Sequence, residues 1–237
     1  MSDEDTSWIE RPLHRVEVDG VPVLWREGPP PLQASLQFRV GTADETFVTS
    51  GITHAVEHLA MRAVGRWPQE VNGEVGNLLT DFTTSGRPEL VADFLAAVCR
   101  VLSDLPVDDL ALELGVLEAE AGGGGGSPSG SLIALRLGAR GPGLSGFDEP
   151  ALRTITAAEV REWATRWFVG GNAVLALSGP PPEGMRSNLC GVPENEDYEE
   201  LGRLLASPPS WTLPRRPPCI RSSGQLAVQR SCLRRIR

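Results

Sequence analysis

Gly51-Ile52-Thr53-His54-Ala55-Val56-Glu57-His58-Leu59 decides the reading of this chain, because it sets two of only three histidines four residues apart in an apolar run. On a helix turning about 100° per residue, positions 54 and 58 fall about 40° apart, one turn above the other. That spacing lets two imidazoles share one cation. Glu57 stands beside them, and a carboxylate next to a metal-bound water can take its proton and later hand it to a leaving amine. Ile52, Val56, Leu59 and Ala63 form an apolar stripe on the opposite side, so such a helix packs on a core and turns its histidines to a cleft. With so few histidines in the chain, the pattern arises by chance in fewer than about one chain in a hundred. His14 lies outside any motif and reads as structural.

Upstream of this helix, Val21 to Trp25 and the alternating Leu36-Gln37-Phe38-Arg39-Val40 read as two strands on either side of Gly28-Pro29-Pro30-Pro31. They are expected to form a hairpin-like pair. Downstream, a polar turn is expected at Asn72-Gly73, then a strand near 78–85. Next comes an amphipathic helix opened by Pro88, with Val91, Phe94, Leu95, Val98, Val101 and Leu102 on one side. A further helix is expected from Val107 to Ala121, ended by the Gly122–Gly126 run as a flexible connection, and a short one over 132–137. Thr156-Ala157-Ala158-Glu159 is a capping box for another helix, which Gly170-Gly171 closes before a buried strand at 173–178. Strands and helices mix without regular βαβ alternation. The fold class is therefore α+β, a mixed, largely antiparallel sheet with helices on one face.

Composition narrows the function. At about 100–200 residues per domain, 237 residues make one generous domain or two small ones. Residues 1–200 hold 14 Arg and all 31 acids, a net −17, whereas 201–237 hold eight Arg and no acid, a net +8. An acidic body argues against nucleic-acid binding, which depends on a basic face to neutralise phosphates. The tail has five Pro and little aromatic interleaving, weak support for such a role. No run approaches the ~18 apolar residues that cross a bilayer, so no membrane partner is expected. The acidic start Met1-Ser2-Asp3-Glu4-Asp5 is unlike a signal peptide, and the expected location is cytoplasmic. Cys99, Cys190, Cys219 and Cys232 have no pairing or ligand spacing and read as reduced thiols.

A catalytic zinc takes three protein ligands and keeps one position open, so a third donor must come from elsewhere in the chain. With no third histidine suitably placed, a carboxylate is needed. Glu113 and Glu120 lie about 20° apart on one helical line, and Glu118 lies about 160° from Glu120. The Glu113/Glu120 line thus offers one ligand and one carboxylate to hydrogen-bond a ligating histidine.

Gly41-Thr42-Ala43-Asp44-Glu45 followed by Gly51 to Leu59 resembles the inverted zinc signature of the insulinase, pitrilysin and mitochondrial processing peptidase family. The segment Glu113-Leu114-Gly115-Val116-Leu117-Glu118-Ala119-Glu120 resembles that family's downstream helix. Gly143-Leu144-Ser145-Gly146, Ile155-Thr156 and Asn172 to Gly179 resemble its later landmarks, so the likeness runs over about residues 15–182. It implies a zinc metalloendopeptidase with His54, His58 and Glu120 as zinc ligands, Glu57 as general base, Glu113 as the supporting acid and Asn72 as a substrate-facing residue. It implies a peptide bound as an extended strand along an edge of the sheet.

The interval from His58 to Glu120 is shorter than is usual in that family. Its working members pair this domain with a second, related one, so a second subunit or a homodimer is expected as partner. The organisation expected is a metallopeptidase-like domain over 1–182 and a Pro- and Arg-rich, poorly ordered extension over 183–237, with a short helix near 199–206. The alternative is a non-catalytic member or truncated half acting as a peptide-binding or scaffold subunit. The intact His-x-x-Glu-His favours the catalytic reading.

Overall fold

Two short strands, β1 (His14–Val18) and β2 (Val21–Trp25), open the fold in a computed structural model of the chain, paired antiparallel across Asp19-Gly20. Both turn residues have positive φ, 51° and 82°, as a tight hairpin between twisted strands requires. The structure describes residues 10–123, 128–187 and 189, all in a compact unit spanning 1–193. The unit formed by 194–237 lies outside the described residues, as do the expected helix at 199–206, the basic tail and three of the four cysteines.

Then come β3 (Leu32–Phe38), α1 (Ile52–Val64), β4 (Glu70–Val75), β5 (Thr80–Gly86), α2 (Pro88–Ser103) and α3 (Leu110–Gly123). They are followed by α4 (Pro128–Leu137), α5 (Ala157–Trp167) and β6 (Ala173–Leu177). The six strands form one sheet in the order β1-β2-β6-β3-β5-β4, with β2 and β6 parallel and every other neighbouring pair antiparallel. The class is α+β.

The expected hairpin between β2 and β3 does not form, because β6 lies between them. Its sequence Ala-Val-Leu-Ala-Leu is apolar throughout, which suits a strand with neighbours on both sides, and the prolines after β2 cannot donate to a ladder. The hairpin is made instead with β1. Asn72-Gly73 is not a turn either: both residues lie inside β4, opposite Thr83 and Phe82 of β5. The reversal falls at 76–79, where the Gly76 N–H donates to the Leu79 carbonyl. α3 starts three residues later than Val107 and continues into the glycine run as far as Gly123. α5 ends at Trp167, before Gly170-Gly171.

Alternation along β3 and β5 buries Ala34, Leu36, Phe38, Phe82 and Thr84 on one face, against helices, and leaves Ser35, Gln37, Asp81 and Thr83 on the other. α2 packs on β3 and β5 through Val91, Phe94, Leu95, Val98 and Leu102, all buried. α1 runs between α2, α3 and α5 and lies over β4, with Ile52, Val56 and Leu59 buried. Ala63 of its expected stripe is exposed, and Ala55 and Ala60 take core positions instead. Apolar contact this extensive stabilises by about 1.5–3 kcal/mol per large buried side chain. It holds α1 in one orientation over the sheet.

Candidate metal centre

The first turn of α1 is fixed from two directions. Gly51, with φ of 97°, caps it, and a Cβ there would press into Leu152 and Glu149. The buried Glu45 carboxylate accepts from the Gly51 and Thr53 N–H groups, each at 2.9 Å, satisfying donors that a helix start leaves unpaired. Burial pushes its pKa up to about 7 against the opposing pull of those bonds and of the Thr53 hydroxyl. From α5, the Trp163 indole N–H donates to Thr53 Oγ1 at 3.1 Å.

His54 and His58 follow on one face of α1, their rings edge to face with centroids 4.8 Å apart. Each ring has its own carboxylate. Glu149 Oε1 is 3.0 Å from His54 Nδ1, and Glu113 Oε2 is 3.1 Å from His58 Nδ1. An ionised carboxylate only accepts, so a neutral ring paired in this way has its proton on Nδ1 and its free electron pair on Nε2. His58 Nε2 lies 3.7 Å from Glu120 Oε2 and 3.8 Å from Glu57 Oε2. Ligand atoms of His54, Glu57 and His58 lie within 4.8 Å of one another, close enough to hold a metal ion. Two imidazole nitrogens, backed by carboxylates on the far ring nitrogens, with one further carboxylate are a donor set that suits zinc; Glu57 lies within this group, and Glu120 stands beside it at His58.

The other expected residues divide. Glu113 is buried, and its second oxygen accepts from Arg62 Nη1 at 2.9 Å, so the carboxylate on His58 is itself anchored. Glu120 approaches from the last part of α3 with its side chain half exposed. Glu118 turns away to Arg153, 3.2 Å from its Nε. Asn72 is exposed on β4, on the sheet face shared with Thr83 and turned away from the side on which Phe82 meets the helices.

Burial raises the pKa of Glu57 and the two histidines lower it; Glu120 and Glu113 push it further up, and the net direction is upward. Burial works against a charged His54, but the bond to Glu149 and the charges of Glu149, Glu57 and Glu120 outweigh it and hold the ring above the usual imidazole range.

Three contributions to the site go beyond the spacing of the His-x-x-Glu-His motif. Gly73 lies directly beneath Glu57, where any Cβ would collide with that carboxylate. A lone glycine inside a strand marks such a close approach, but Asn-Gly carries the same local signal as a turn. Glu45 is part of the quoted motif, but its cap on α1 was not read from it. Glu149 carries no local signal, since 95 residues separate it from His54.

No family model matches the chain, and no curated protein matches it. Solved structures do. A protease from Helicobacter pylori superposes with a TM-score of 0.62 at 16% identity, covering 78% of this chain and 52% of that one. Pitrilysin superposes at 0.58 and 15% identity over 81% of this chain and 25% of its own. A peptidase M16 inactive domain from Pseudomonas fluorescens does so at 0.56 and 15% identity, over 70% and 46%. The chain thus has the fold of an M16-type peptidase domain. It spans about half (52%) of the Helicobacter chain and a quarter (25%) of pitrilysin.

Proposed function

We propose that this chain is the metal-binding half of a zinc-dependent endopeptidase that cleaves extended peptides. The observation that carries this reading is the meeting of two carboxylate-backed imidazoles with Glu57 and Glu120 at one side of α1. His54, His58 and Glu120 would hold the metal. When bound, zinc lowers the pKa of a coordinated water toward neutrality and polarises a peptide carbonyl. Glu57, its carboxylate raised in pKa by burial, takes the proton of the attacking water and delivers it to the leaving amine. Glu113 keeps His58 in the Nδ1–H tautomer. Extended peptide would lie along β4, the sheet edge next to α1, held by main-chain hydrogen bonds. Asn72 would meet it on the outer face.

The test is metal analysis beside cleavage of a quenched fluorescent peptide, with and without chelator. About one equivalent of zinc and chelator-sensitive cleavage are expected; less than about half an equivalent after zinc-supplemented preparation sinks the reading. Glu57→Gln should retain zinc and lose cleavage by about a thousandfold or more. Glu120→Gln should weaken zinc binding, and Glu118→Gln should leave it unchanged.

The likeness to an inactive peptidase domain and the partial span support a second reading, a peptide-binding subunit that acts with a related partner. Zinc binding without cleavage, by the chain alone or with a partner, selects it.

A further inference from the structure

Glu149 reaches the site from a different direction than the motif residues. It opens the turn at 149–152, in which the Leu152 N–H donates to the Glu149 carbonyl at 3.2 Å, and Ala151 and Leu152 of that turn are buried in the core. The turn presses on the start of α1 where Gly51 has no side chain, with Leu152 and the Glu149 Cβ in the space a Cβ would need. Glu149 itself has φ of 43°, the left-handed region that a residue with a long side chain seldom adopts without a local reason. The result of this conformation is the 3.0 Å contact between Glu149 Oε1 and His54 Nδ1.

We propose that Glu149 is a positioning residue for the metal centre: it holds His54 as the Nδ1–H tautomer and aims Nε2 at the site, the counterpart from the α5 side of what Glu113 does for His58 from α3. The inference rests on the metal reading above, but its first consequence is a property of the metal-free chain. Neutral imidazole in water favours the proton on Nε2, which would block a ligand atom. A carboxylate on Nδ1 reverses that preference before any metal arrives. Each ligating histidine is then clamped by a different element, so the site is sensitive to how the 149–152 turn sits on α1.

The test uses the full chain labelled with 15N in its three histidines. At about pH 9, well above the ordinary imidazole range, the ring spectrum of the metal-free protein should show His54 as Nδ1–H. Glu149→Ala should convert it to mainly Nε2–H and leave His58 unchanged. Zinc affinity, by competition with a chromophoric chelator, should fall about 10- to 100-fold. Glu149→Gln keeps an accepting oxygen and should fall less. Glu149→Asn separates positioning from folding: asparagine accepts positive φ, so thermal stability should hold or rise, yet its shorter side chain leaves His54 without its partner. A His54 that remains Nδ1–H in Glu149→Ala and Glu149→Asn overturns the inference, as does zinc affinity within twofold of the parent. A parent chain that binds no zinc at all overturns the metal reading instead, and the tautomer measurement still decides the role of Glu149.

Discussion

At position 73 a side chain would occupy the space of the Glu57 carboxylate, so Gly73→Val is expected to turn Glu57 out of the site while leaving His54 and His58 in place. Cleavage should fall about tenfold or more, since displacement of a reacting group by about 1 Å is costly, whereas zinc content should hold. Parallel zinc analysis and kcat/KM measurement check this, and a valine variant with full activity would show that Glu57 does not depend on the gap. Residues one helical turn apart were legible from spacing alone: His54, Glu57 and His58 needed only the 3.6-residue period, as did the separation of Glu113 and Glu120 from Glu118. Glu149 was not legible, because its contact depends on how a distant turn packs on α1, and no periodicity encodes that.

Among the elements, α5 had the clearest local signature and formed with both halves of its capping box present. Thr156→Ala removes the side chain that bonds Glu159, and should cost about 1 kcal/mol, read as a lower urea midpoint at unchanged m-value. A shift above about 2 kcal/mol would mean that the cap also sets the docking of Trp163 on Thr53. Helix α2 follows its periodic pattern, an apolar stripe opened by Pro, and α1 follows its own at Ile52, Val56 and Leu59 but not at Ala63, which is exposed. Strand pairing was harder to read. β2 and β3 were visible as strands, yet which strand lies between them is a choice made by β6, far along the chain, on the strength of its uniformly apolar side chains. The β1 hairpin had a readable signal in Asp19-Gly20, with the alternation before it too weak to mark a strand: four of the five β1 residues are exposed.

Over the whole molecule, Glu45, Glu57 and His54 all have folded-state pKa values above their ordinary ones. A group shifted this way binds its proton more tightly when folded, so its contribution is complete below the unfolded pKa and is lost as pH rises through the folded one. For Glu45 that window runs from 4.5 to about 7 and is worth on the order of 3 kcal/mol. The metal-free chain should therefore melt at progressively lower temperature across this range, and Glu45→Gln should flatten the slope. Zinc requires deprotonated ligands, so the loaded chain should show the reverse trend; equal slopes with and without zinc would contradict this account.

The sheet ends at β4, beyond which the described residues include no further strand. An unpaired edge able to receive a peptide can equally receive a second copy of itself, the usual route to fibrous aggregates. Here every second residue of that edge is exposed, and two of the three, Glu70 and Glu74, are acidic. Two copies meeting along β4 would bring four carboxylates together, on chains that are each already at −9. The acidic side chains of β4 thus oppose pairing of this edge with a copy of itself, although its main chain has no further strand beside it among the described residues.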